Sequence, residues 1–68
     1  MPKKIRELKA MLSKAGCISE PGKGSHTKWK HPLINRKIVL SGKDGNDAKS
    51  YQEKEVKKLL QDIKKAQL

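Results

Sequence analysis

The sequence predicts an α+β fold: a helix, a three-stranded antiparallel meander and a second helix, packed as a two-layer sandwich. Three observations predict it. Apolar residues recur at helical spacing near both ends of the chain. The middle holds short alternating stretches separated by turn residues. The chain has 68 residues, enough for one small domain, 1–68, and for a thin core.

The first helix is expected over residues 3–15. Ile5, Leu8, Leu12 and Ala15 fall on one side with Met11, and Lys4, Arg6, Lys9, Ser13 and Lys14 on the other. Gly16 follows, where a left-handed C-terminal cap needs a residue without a Cβ. Such a basic amphipathic helix could also lie on a membrane, but it ends in a cap and runs directly into strand-like sequence.

Cys17-Ile18-Ser19-Glu20 reads as a short strand, and Pro21-Gly22-Lys23-Gly24 as a turn. His26 to His31 alternates with the period of a strand: His26, Lys28 and Lys30 fall on one face, Thr27, Trp29 and His31 on the other. Trp29 is expected to pack under the helices. Pro32 to Asn35 reads as a second turn, and Arg36 to Leu40 as a third strand with Ile38 and Leu40 on one face. Ser41 to Asp47 is a polar loop. Ser50-Tyr51-Gln52-Glu53 has capping-box form, with Ser50 at the N-cap and Glu53 three residues on. Val56, Leu59, Leu60 and Ile63 give the last helix its apolar stripe. Both helices can then cover one sheet face, leaving the other open and basic.

The charge balance narrows the partners. Seventeen basic and seven acidic residues leave a net charge of +10, which draws the chain to polyanions. Cys17 stands alone, so no intramolecular disulfide forms, and zinc-finger spacing is missing. No metal or cofactor is expected. The chain is charged from its first residues and has no apolar run of membrane-spanning length, so a cytoplasmic location is expected.

The stretch Gly22 to Pro32, GKGSHTKWKHP, holds both histidines. Lys28 and Lys30 share the His26 face, so a phosphate could be held beside its imidazole. Glycines before it let backbone N–H groups converge on an anion, and Ser25 adds a hydroxyl. Imidazole exchanges protons readily near neutral pH. The bland alternative is an exposed histidine after a tight hairpin turn. His31 lies roughly 16 Å along an extended strand and on the other face. It is a poor partner for His26, and an exposed position before Pro32 is expected for it.

The element order and these motifs resemble the HicA toxins of toxin–antitoxin pairs. The resemblance is carried by Ala15-Gly16, Gly24-Ser25-His26, Trp29, His31-Pro32 and Val56-Lys57-Lys58-Leu59-Leu60. It covers nearly the whole chain. The sequence departs from the family pattern at Cys17, where an aromatic is usual, and at Ser41-Gly42, where His-Gly is frequent. The loop from Gly42 to Lys49 is also longer than usual.

The resemblance implies a fold like the double-stranded-RNA-binding domain. It implies a toxin that cleaves mRNA, with His26 as the active residue, and a cognate HicB antitoxin that silences it. The RNA backbone would be held by Lys23, Lys28, Lys30 and Lys37, with Gly24 and Ser25 near the scissile phosphate. That scheme needs no metal. The second acid–base group stays open between water, Ser25, Lys28 and a residue of a second copy. So basic a surface calls for an antitoxin that is acidic at its contact. The competing readings are a passive double-stranded-RNA binder using Lys49 and Lys54, and a basic ribosome- or DNA-associated protein with no specific site.

Overall fold

The computed structural model describes residues 2–67. Its elements are α1 (Ile5–Lys14), β1 (Ile18–Pro21), β2 (Thr27–His31), β3 (Ile34–Leu40) and α2 (Ser50–Ala66). The three strands form one antiparallel sheet in the order β1-β2-β3. This is the predicted α+β arrangement of helix, meander and helix. Among the described residues no helix is long and apolar enough to cross a membrane.

The core is built from the periodic residues of the sequence. Ile5, Leu8 and Leu12 of α1 and Val56, Leu59 and Ile63 of α2 are buried together with Trp29, Ile38 and Leu40 of the sheet. Trp29 and Ile38 are direct cross-strand partners on this inner face. The Trp29 indole N–H donates to Thr27 Oγ1 at 3.0 Å, so its polar atom is satisfied within the strand. The core stops short of β1, which is exposed throughout. The helices therefore cover β2 and β3, not the whole face that the alternation led us to expect.

Both helices begin alike. The Lys4 N–H donates to the Glu7 carboxylate at 2.8 Å, and the Lys49 N–H donates to Gln52 Oε1 at 2.8 Å. The N-cap of α2 is thus Lys49, with Gln52 as the returning side chain, not the Ser50 and Glu53 expected from the serine. Gln52 is only 2% exposed, and its amide nitrogen also donates to the Ser41 carbonyl at 3.0 Å. A buried amide with both ends satisfied outweighs an exposed serine cap.

The 42–49 loop closes over the start of α1. The carbonyls of Asn46 and Asp44 accept from the Ile5 and Arg6 N–H groups at 2.9 and 3.2 Å. These donors have no partner within their own helix. Ala48 N–H donates to the Lys3 carbonyl at 2.7 Å, and Lys4 and Lys9 pair with Asp47 and Asp44 at 2.5 and 2.6 Å. The loop therefore ties one end of the chain to the approach to α2.

Several boundaries differ from the sequence reading: α1 spans Ile5–Lys14 instead of 3–15, β1 begins at Ile18 instead of Cys17, and three more shifts bear on the site. β2 starts at Thr27, which leaves His26 in the turn before it. β1 runs to Pro21, whose partner is Thr27, so the turn begins one residue later. Proline is tolerated there because β1 is an edge strand. β3 begins at Ile34 instead of Arg36, because Ile34 pairs with His31 while Lys37 pairs with Lys30. The register shift between those pairs takes up Asn35 and Arg36, and the turn shrinks to Pro32-Leu33.

Candidate functional site

The site grows out of the β1–β2 turn. Gly22 N–H donates to the His26 carbonyl at 2.9 Å, and His26 N–H donates to the Lys23 carbonyl at 3.1 Å. Two hydrogen bonds thus fix the His26 backbone from both sides. Gly24 adopts φ +61°, a left-handed conformation that costs any residue with a Cβ about 1–2 kcal/mol. Gly22 is required for space: a Cβ there would stand 3.0 Å from the His26 carbonyl oxygen and 3.3 Å from the His26 Cβ. Lys23, Gly24, Ser25 and His26 are all exposed. The turn therefore presents an imidazole, a hydroxyl and an ammonium to solvent on a braced backbone.

The outer face of the sheet continues from this turn. Glu20, Lys28 and Val39 form one cross-strand row, and Ile18, Lys30 and Lys37 the next. Neighbouring strands lie about 4.8 Å apart. Lys28 and Lys37 are exposed, as expected of phosphate-binding candidates. Lys30 is exposed too, but Glu20 engages it: their side chains meet at 2.5 Å. The hydrogen bond from Lys30 holds the Glu20 carboxyl below the usual carboxylate range, with the charges of Lys30, Lys37 and Lys28 acting in the same direction. The sequence reading overlooked this carboxylate, although strand alternation puts it on the same face as the lysines.

Of the candidate residues, Lys23, Gly24, Ser25 and His26 gather in one turn. Lys28, Lys30 and Lys37 follow on the adjoining sheet face, at rising distance along the strands. His31 is corrected. It is 7% exposed instead of standing free before Pro32. Its Nε2 lies 3.2 Å from the Ala15 carbonyl, and its Nδ1 accepts the Leu33 N–H at 3.1 Å. It belongs to the fold and lies at the opposite end of β2 from His26. Cys17 is half-buried against the core, and burial pushes its thiol up from its ordinary value.

Comparison with known proteins places the chain in a family. A family model described as the HicA toxin of bacterial toxin–antitoxin matches residues 5–68. No curated protein matches the chain, and no solved structure does.

Proposed function

Because the chain belongs to the HicA toxin family, we propose that it is an endoribonuclease toxin that cleaves mRNA through His26 and is silenced by a HicB-type antitoxin. The observation that carries this reading is the exposed His26 on a glycine-braced turn, two residues before the exposed Lys28 of β2.

In the reaction, the neutral imidazole of His26 takes the proton of a ribose 2′-OH. The 2′-oxygen attacks the adjacent phosphorus, and the P–O5′ bond breaks. The products are a 2′,3′-cyclic phosphate and a 5′-oxygen that leaves protonated. The proton donor to that oxygen is a second group, drawn from water, Ser25, Lys28 or a second copy of the chain. Lys23, Lys28 and Lys37 hold the neighbouring phosphates. Lys30 takes part to the extent that it leaves Glu20. The turn contributes electrostatic positioning, since its backbone is fixed before substrate arrives.

The scheme uses no metal. The antitoxin is acidic where it meets the lysine face, because like charges across that contact would cost several kcal/mol. The experiment is incubation of the purified chain with mRNA, with and without chelator, and identification of the ends produced. Cyclic phosphate and 5′-hydroxyl ends that form in chelator are the expected result. Intact RNA would leave a passive RNA binder as the better reading.

A further inference from the structure

The far edge of the sheet carries a second basic surface, which shares Lys37 with the proposed His26 site and extends beyond it. β3 is the last strand of the sheet. Between it and the first half of α2 runs a groove of about 490 Å³, lined by Arg36, Lys37, Val39, Tyr51, Glu55 and Lys58. That volume falls within the range of small-ligand clefts, about 300–1,000 Å³. The chain has two aromatics. Trp29 is buried, whereas Tyr51 is 51% exposed and lies in this groove.

We propose that this groove binds single-stranded RNA, with one unpaired base stacked on Tyr51 and the backbone running past Lys37 and Lys58. The inference rests on the RNA-cleaving reading and adds to it where the strand beside the scissile bond is held.

Several observations favour RNA as the occupant. An aromatic ring among cations is the combination that single-stranded nucleic acid uses, with stacking for bases and charge for phosphates. Arg36, Lys37 and Lys58 outnumber Glu55 in the lining. Arg36 is paired with Asp62 at 2.9 Å, so the phosphates are assigned to Lys37 and Lys58. Glu55 follows Tyr51 by one helical turn and suits an exocyclic amino group better than a phosphate. Val39, 46% exposed, adds apolar floor.

The groove also connects to the candidate site. Val39 is the cross-strand partner of Lys28, which stands two residues after His26. A strand leaving the groove at Val39 crosses one inter-strand spacing, about 5 Å, to reach Lys28. A duplex would not suit the groove, because paired bases offer no free face to Tyr51.

The test measures binding of a 2′-O-methyl single-stranded oligonucleotide, which resists cleavage at its 2′ positions, and of the same sequence as a duplex. Tyr51→Ala should weaken single-strand binding by about 5- to 150-fold, the range for losing one stacked base. Tyr51→Phe should stay within about twofold, since the ring remains. Lys58→Ala should flatten the salt dependence by about one unit of slope. Photo-crosslinking of the unsubstituted chain with a 4-thiouridine oligonucleotide should label the peptide containing Tyr51, independently of any variant's folding. Single-strand affinity unchanged in a folded Tyr51→Ala, or loss of antitoxin binding alone, would overturn the inference. If the unsubstituted chain binds neither RNA, the ribonuclease reading itself fails, and the groove assignment fails with it.

Discussion

His31 and Ala15 join the two layers of the fold: the imidazole Nε2–H donates to the Ala15 carbonyl at 3.2 Å, sixteen residues back in the chain. The other ring nitrogen accepts the Leu33 N–H, which places the proton on Nε2. One buried ring thus ties the end of α1, the end of β2 and the β2–β3 turn. Gly16, at φ +94°, lets the chain pass this ring; a Cβ there would stand 3.4 Å from Nε2. His31→Ala removes the ring and leaves a carbonyl and an N–H without partners. The expected cost is about 2–4 kcal/mol. In a domain this small that lowers the thermal midpoint by roughly 10 °C or more. A midpoint within a degree or two of the parent would show that the ring does not tie these elements.

His26→Ala should behave in the opposite way. The side chain is exposed, and the hydrogen bonds of the residue use its backbone. Stability should change by no more than about 0.5 kcal/mol. Cleavage should fall by about 10²–10⁴-fold, the usual cost of removing an acid–base group. RNA and antitoxin should still bind. Near-parental cleavage rates measured on this variant would remove His26 from the reaction.

Gly22→Ala tests the brace instead of the imidazole. The new Cβ meets the His26 carbonyl oxygen at 3.0 Å, a backbone atom that moves only if the turn moves. The expected result is a folded protein with cleavage reduced at least about tenfold, because small misplacements of a reacting group are costly. Full activity would mean that His26 tolerates a displaced backbone, and that the turn is merely a connection.

Glu20→Gln should strengthen RNA binding. It removes one negative charge from the lysine face and frees Lys30 from its 2.5 Å contact. The salt dependence should steepen by about one unit in log K against log salt, since one more lysine meets phosphate. Unchanged binding would place Lys30 outside the RNA path. The same pair gives an acid-dependent signature. The folded-state Glu20 carboxyl is depressed by Lys30, so its stabilising contribution is present above the ordinary carboxylate range. That contribution fades as the pH falls through the depressed value. The Glu20→Gln variant should lose this part of the acid response.

The sequence by itself determined the order of elements, the apolar stripes of both helices and the glycine turn that precedes His26. These are local matters. Period 3.6 in Ile5, Leu8 and Leu12, period 2 in Trp29 and its neighbours, and glycines at Gly22 and Gly24 each act within a few residues. The tertiary structure decided what depends on residues far apart in the chain. His31 became a buried tie because α1 ends beside it, and strand alternation says only which face a side chain takes. Gln52 displaced Ser50 and Glu53 from the cap because the Ser41 carbonyl lies within its reach. Lys30 met Glu20 because the register sets Ile18 opposite Lys30 and Glu20 opposite Lys28, one step along the same face. The groove at Tyr51 exists only once α2 is laid across β3, since its two walls come from separate elements and neither local pattern specifies the gap between them.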